Sequence, residues 1–212
     1  MALKTIVVDD HAFVRRGIVE ILSEHTGIEL VGEAGDYGQL RTLLRRVGEI
    51  DLLVIDVNLP GKDGIDILKT LLGEMPRLKV LVVSMYPEEQ YAVRAFRAGA
   101  MGYLNKAGAP EKLIEAVDQL IAGRKYVTPE ISQALIENLT APQSGPPHER
   151  LSDREFQILK LIATGHRLSD IAEALTLSPK TVSVYRARVL EKMGMSNNAE
   201  LTHYAIKHGL VD

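Results

Sequence analysis

Five times in the first 122 residues a short apolar, β-rich run is followed by a segment of helical period, and this alternation constrains the fold more than any other feature. The runs are residues 4–8, 29–33, 52–55, 79–83 and 102–104; the helical segments are 14–23, 38–47, 64–72, 88–98 and 110–122. Strand–helix units in succession predict a parallel sheet covered by helices on both faces. The nearly unbroken Ile6-Val7-Val8 and Leu52-Leu53-Val54-Ile55 agree, because strands buried on both sides need no polar alternation.

The rhythm stops at residue 123. Residues 123–149 hold one expected short helix after Thr128-Pro129, then Ala141-Pro-Gln-Ser-Gly-Pro-Pro147, which is linker chemistry. The expected organisation is therefore a domain over 1–122, a linker with a short helix over 123–149 and a second domain over 150–212. From Leu151 onward the pattern is all helix. Ser152 with Glu155 three residues on makes a capping box, opening a helix with Phe156, Leu159 and Ile162 on its apolar face and Gly165 at its end. A second helix is expected over 169–175, then the turn Thr176-Leu177-Ser178-Pro179. Ser178 caps a third helix with Pro179 at its first position; it runs to about Met193 and stops at Gly194. A fourth spans 197–207.

Composition excludes several classes. Hydrophobic residues make up 46% of the chain, enough for a core in each half, yet no apolar run reaches the roughly 18 residues a membrane span needs. Asp9 and Asp10 follow only eight residues, too few for the apolar region of a signal peptide. Zero cysteines exclude disulfides and thiolate metal sites and fit a reducing cytoplasm. The six histidines are scattered, with His203 and His208 on different helix faces, so no histidine metal site is expected. The net charge of −3 hides a partition: residues 1–149 carry 16 Lys/Arg against 21 Asp/Glu, residues 150–212 carry 9 against 7. Within the latter, residues 179–194 hold Lys180, Arg186, Arg188 and Lys192 against Glu191 alone. Such a local basic patch is what a phosphate-binding surface needs, although a solvated helix face looks the same by charge.

In an open parallel sheet, function gathers at the carboxyl ends of the strands. Asp9 and Asp10 follow the first strand, Asp56 the third, Ser84 the fourth, and Asn105 and Lys106 the fifth. Singly these are commonplace turn formers and edge charges. Together they would bring three carboxylates, a hydroxyl and an amine to one edge. Carboxylates so packed repel unless a hard cation joins them, and Mg²⁺ is held by a few carboxylates plus water and phosphate oxygens. An aspartate beside such a cation can attack a phosphoryl group while the metal and a lysine neutralise its oxygens.

The runs Ile6-Val7-Val8-Asp9-Asp10-His11, Val54-Ile55-Asp56-Val57-Asn58-Leu59-Pro60-Gly61-Lys62-Asp63-Gly64 and Ala98-Gly-Ala-Met-Gly-Tyr-Leu-Asn-Lys106, with Ser84, resemble receiver domains over residues 4–122. The resemblance implies an α/β, flavodoxin-like five-stranded parallel sheet of order 2-1-3-4-5. It implies Asp56 as the residue phosphorylated by a sensor histidine kinase. It further implies Asp10 as a direct Mg²⁺ ligand, Asp9 as one acting largely through water, and Asp56 and the Asn58 backbone carbonyl as the others. Lys106 would pair with the acyl phosphate, and Ser84 and Tyr103 would rearrange on phosphorylation. Ala107 departs from the pattern, standing where many receivers have proline. If the Lys106–Ala107 bond were cis, it would cost about 3 kcal/mol more than trans.

The second half reads as a helix-turn-helix, a pair of helices joined by a tight turn with the latter offered to the major groove. Lys180, Thr181, Ser183, Val184 and Arg188 are its groove-side candidates: cations for phosphate, hydroxyls and a small apolar side chain for base edges. Leu151-Ser-Asp-Arg-Glu155, Leu161-Ile-Ala-Thr-Gly165, Asp170-Ile-Ala172, Leu177-Ser-Pro-Lys-Thr-Val182 and Lys192-Met-Gly194 resemble the LuxR-type domain of NarL/FixJ response regulators. This implies an all-α four-helix module binding double-stranded promoter DNA, a homodimer when phosphorylated or DNA-bound, and RNA polymerase as a possible further partner. Leu201, Tyr204, Ala205 and His208 on the last helix form a stripe that could meet its twin or pack on its own domain. The reading that results is a cytoplasmic transcription regulator whose only covalent chemistry is its own phosphorylation, with Mg²⁺ as its cofactor and no membrane partner. Two competitors remain. An aspartyl-phosphate-forming phosphatase with an accessory helical domain would usually carry Asp-x-Asp after the first strand, where this chain has Asp9-Asp10-His11. A ligand-sensing repressor would want a phosphate-cradling Gly-rich loop, and neither Gly-x-Gly-x-x-Gly nor a P-loop is present.

Overall fold

The computed structural model describes residues 2–60, 62–85, 88–108, 110–140 and 146–211. The chain forms two compact units, Met1–Leu139 and Thr140–Asp212. Among the described residues no helix is long and apolar enough to cross a membrane.

The first unit is a five-stranded parallel sheet in the order β2-β1-β3-β4-β5. The strands are β1 (Leu3–Val8), β2 (Ile28–Ala34), β3 (Leu52–Ile55), β4 (Lys79–Ser84) and β5 (Gly102–Asn105). Between and after them run α1 (Ala12–Ser23), α2 (Tyr37–Val47), α3 (Gly64–Glu74), α4 (Glu88–Arg97) and α5 (Pro110–Ile121). β3 is buried throughout and β4 from Val80 onward, and their alternation feeds two layers. Val7, Leu52, Val54, Leu81, Val83 and Leu104 turn to one face, where Ile18 and Leu22 of α1 and Leu113, Ala116, Val117 and Leu120 of α5 complete a cluster. Ile6, Val8, Leu53, Ile55, Val80 and Val82 turn to the other and are also buried. Each such side chain contributes roughly 1.5–3 kcal/mol by leaving water.

Register places the functional edge. Val8 pairs with Ile55, Ile55 with Val82, and Ser84 with Asn105, so the strands finish nearly level. Asp9, Asp56, Ser84 and Lys106 must therefore share one edge. The Lys106–Ala107 bond is trans, like every peptide bond among the described residues.

The compact part of this unit continues past residue 122. Tyr126 bridges to Gly102 of β5 and joins the apolar cluster, and α6 (Pro129–Thr140) follows with Thr128 at its start and Ile131 fully buried. Residues 141–145 of the expected linker lie outside the described residues.

The second unit opens with a 3₁₀ turn, Pro147–Arg150, where only linker was expected. Then come α7 (Asp153–Ala163), α8 (Leu168–Ala174), α9 (Pro179–Met193) and α10 (Asn198–Lys207). Its caps explain its boundaries. Ser152 accepts from the Glu155 N–H while the Glu155 carboxylate accepts from the Ser152 N–H at 2.7 Å, and Lys192 of α9 adds an ion pair to that carboxylate at 2.7 Å. Ser178 accepts from Thr181 N–H at the start of α9, and Gly194 closes it in the left-handed conformation. α8 begins one residue before the expected Ser169, because Asp170 reaches back to the Arg167 N–H and caps the helix from within.

Gly64 at the start of α3 shows how tightly the fold grips the loop after β3. A Cβ there would stand 2.1 Å from the Asp56 carbonyl oxygen and 2.8 Å from the Val57 Cα, whereas a Cβ on Gly73 of the same helix would meet nothing. Gly64→Ala should lower stability by about 2–4 kcal/mol in denaturant titrations. Gly73→Ala should raise it by about 0.5–1 kcal/mol. Equal effects of the two would contradict the close approach.

Candidate functional site

The carboxyl edge of the sheet holds a buried ionic cluster. Asp9 and Asp56 are almost fully enclosed, and the Lys106 ammonium lies between them, 2.6 Å from Asp9 Oδ2 and 2.7 Å from Asp56 Oδ2. The backbone positions each group. Asp56 N–H donates to Val8 O, and Lys106 N–H donates to Ser84 O, so strand pairing extends by one bond into the site on either side. The other oxygen of Asp56 accepts from the Asn58 N–H at 3.1 Å, and Asp9 Oδ1 accepts from the His11 N–H at 2.9 Å. Asp10 lies toward solvent with its carboxylate 2.7 Å from His11 Nδ1. Atoms from Asp9, Asp10, His11 and Asp56 all lie within 4.8 Å of one another, a group able to hold a metal ion.

The electrostatics follow from burial and from the count of charges. Burial is the largest influence on Asp56 and pushes its carboxyl above the ordinary value, with Asp9 adding to the rise and Lys106 pulling against it. Burial alone would lower Lys106, but Asp56 and Asp9 beside it more than compensate and hold the ammonium above its usual value. One cation thus faces two buried carboxylates and a third at the mouth. That donor set, hard oxygens in excess negative charge, fits a hard divalent cation.

The structure brings Asp9, Asp10, Asp56, Asn58 and Lys106 together at this edge. Ser84, at the end of β4, and Tyr103, on β5, are both fully buried. The mutual spacing of the histidines does not single out His11; its signal in the sequence is adjacency to the paired aspartates. Asp63, buried and capping α3 through the Ile65 N–H, was also missed.

The second unit presents α9. Val182, Val189 and Met193 are buried on one side. Lys180, Val184 and Arg188 are exposed, four residues apart, in a row on the other, with Ser183 exposed beside them. Thr181 is half-buried, its hydroxyl 2.8 Å from Ser178 Oγ. The basic residues of α9 differ in their engagement. Arg186 donates to the neutral Asn198 Oδ1 at 2.6 Å and keeps its charge, Lys192 pairs with the buried Glu155, and Lys180 and Arg188 are exposed. The apolar stripe expected on α10 divides. Leu201 and Ala205 are fully buried and committed to the interior, while Tyr204 and His208 stack at 4.2 Å and line a shallow depression with Met195, Glu200, His203 and Lys207. Tyr204 is tied further by its hydroxyl to His148 Nδ1 at 2.8 Å.

Comparison with known proteins matches both halves. Residues 5–118 fit the response regulator receiver domain, and residues 149–205 fit the bacterial regulatory proteins of the luxR family. The chain is 38% identical to the response regulator GacA of Pseudomonas aeruginosa over 211 residues, covering 99% of this chain and 98% of the relative. It is 34% identical to the response regulator UvrY of Escherichia coli over 209 residues, covering 98% and 95%. Among solved structures it resembles RcsB from Salmonella enterica serovar Typhimurium bound to promoter DNA with phosphomimetic BeF₃⁻ (28% identity, 96% and 98% coverage, TM-score 0.61). A structure of two RcsB dimers on two parallel DNAs matches with the same identity and coverage at a TM-score of 0.60.

The crowded carboxylates make a stability prediction. A carboxyl whose value is raised by folding stabilises the fold fully below its unfolded value, here 3.8, and that stability is lost as pH rises through the folded value. Asp56→Asn should therefore be more stable than the parent near neutral pH, by about 1 kcal/mol, and should lose part of the parent's decline across the acid range. Denaturant midpoints against pH test it, and a variant less stable than the parent at neutral pH would refute it.

Proposed function

This chain belongs to the NarL/FixJ family of two-component response regulators, and we propose that Asp56 accepts a phosphoryl group from a sensor histidine kinase to control promoter binding by α9. The observation that carries the reading is Lys106, buried with its ammonium on both Asp56 and Asp9 at the edge where the strands finish.

The chemistry follows from the groups present. A carboxylate oxygen of Asp56 attacks the phosphorus of a phosphohistidine; the new P–O bond forms as the P–N bond breaks. The electron pair leaves with the imidazole nitrogen, which takes a proton from solvent. Lys106 already stands beside the attacking carboxylate and neutralises charge on the phosphoryl oxygens. The Asn58 N–H on the other Asp56 oxygen fixes the carboxylate plane. Asp9, Asp10, Asp56 and the Asn58 backbone carbonyl are the proposed ligands of Mg²⁺, which when bound supplies further neutralisation of the phosphoryl oxygens. Ser84 and Tyr103 are the proposed hydroxyl and aromatic that respond to the acyl phosphate.

The second unit is the output. Lys180 and Arg188 hold phosphates on either side of the groove, and Thr181, Ser183 and Val184 meet base edges. We assign the receiver to residues 1–122, the connection to 123–149 and the DNA-binding domain to 150–212. Phosphorylation favours a homodimer on DNA, a reading supported by the dimeric RcsB assemblies. Contact with RNA polymerase, cytoplasmic location, and no catalysis beyond self-phosphorylation complete the proposal. The relatives are response regulators, and none of them supports the phosphatase reading.

Two measurements test it. With Mg²⁺ and a small acyl phosphate donor, the chain should take up one base-labile phosphoryl group that Asp56→Asn does not; full labelling of the variant would remove Asp56 from the mechanism. Lys180→Ala should weaken binding to all DNA sequences and reduce the salt slope by about one charge. Loss confined to a preferred sequence would instead make Lys180 a base-reading residue.

A further inference from the structure

His11 is the N-cap residue of α1, a position where side chains ordinarily bond the first turn of the helix. Its imidazole makes no such bond. It turns to the acidic pocket instead, with Nδ1 2.7 Å from Asp10 Oδ1 and 3.4 Å from Asp9 Oδ1. The residue is held there by its own N–H on Asp9, and the ring is more than half exposed, so packing does not dictate its direction. Other histidines are engaged elsewhere: His25 with Asp118, His148 with Tyr204, His166 with Thr164. One nitrogen donor therefore stands within 4.8 Å of one carboxylate oxygen from each of Asp9, Asp10 and Asp56.

We propose that His11 is a nitrogen ligand of this pocket, so that the site takes first-row transition ions such as Mn²⁺ with a preference over Mg²⁺ that carboxylates alone would not confer. The inference rests on the reading of the pocket as a divalent-cation site. Carboxylate and carbonyl oxygens suit Mg²⁺ and Mn²⁺ alike, whereas imidazole strengthens binding of transition ions and adds little for Mg²⁺. His11 Nδ1 stands 2.7 Å from Asp10 Oδ1, so a cation coordinated at Nδ1 would have that carboxylate as its neighbour. Because His11 makes no capping bond, its replacement leaves the start of α1 intact.

The test uses the full chain and Mn²⁺. Free Mn²⁺ read by electron paramagnetic resonance gives its affinity, and displacement by Mg²⁺ gives the second affinity in the same sample. In His11→Ala and His11→Asn, Mn²⁺ affinity should fall about tenfold while Mg²⁺ affinity changes less than about threefold. Pulsed measurements on the parent should show ¹⁴N modulation that becomes ¹⁵N when the chain carries ¹⁵N-imidazole histidine. Stoichiometric Mn²⁺ binding without that nitrogen coupling, or equal change for both ions, would make His11 only an ion-pair partner of Asp10 and overturn the inference alone. No binding of either ion would overturn it together with the cation reading of the pocket.

Discussion

The first unit is organised around one ammonium held between two buried carboxylates. Burying a charge is tolerable only where a partner waits, and Lys106 has two within 2.7 Å. Each member comes from a different strand, so the arrangement exists only if β1, β3 and β5 finish level, which the register of four strands ensures. The same arrangement is short of positive charge. An apolar trio of similar volume would suit the fold better, and the deficit suits the proposed cation and phosphoryl group. Stability is given up at the site and recovered in the two apolar layers beneath it.

The DNA-binding unit separates its cations by task. Lys192 closes onto Glu155, whose carboxyl is held low by Lys192 and Ser152 against the opposing effect of burial, and so ties α9 to the capped start of α7. Arg186 ties α9 to α10 through Asn198. Lys180 and Arg188 are left to the surface, flanking Val184. The helix that carries the proposed groove-facing row is anchored on its other sides, through Val182, Val189 and Met193, Arg186 and Lys192. A recognition helix needs that, since a hydrogen bond to a base edge discriminates only if the donor cannot follow the wrong base.

The alternation of strands and helices was legible because parallel strands buried on both faces leave unbroken apolar runs, and the carboxyl-edge residues were legible because topology alone sends strand ends to one side. What failed to show was pairing. The count of four cations over residues 179–194 could not reveal that Asn198 and Glu155 hold two of them, since both partners lie on other helices. The spacing of Leu201, Tyr204, Ala205 and His208 is helical, but periodicity does not say which neighbour a stripe meets; Leu201 and Ala205 face the interior, Tyr204 and His208 the surface depression. The 3₁₀ turn at Pro147–Arg150 hid inside a proline-rich stretch, and α8 hid its start behind a cap supplied by Asp170 from inside the helix.

Communication from the pocket must pass through close-packed material. Ser84 and Tyr103 are both fully buried, on adjacent strands whose pairing sets Val82 beside Tyr103 and Ser84 beside Asn105. Interiors at crystal-like density do not admit a side chain moving into or out of a site without another taking up the volume. In the proposed mechanism a phosphoryl group on Asp56 draws the Ser84 hydroxyl toward it, and the space vacated is open to the Tyr103 ring. The two residues then have two joint arrangements rather than a continuum, which is what a switch requires. A phosphoryl group shifts that balance only by the difference in its contacts with the two arrangements, and in the proposed mechanism Ser84 supplies that difference. A chain with alanine at position 84 would still be phosphorylated at Asp56, because Lys106 and the carboxylates are untouched, but its DNA binding would respond less to the modification.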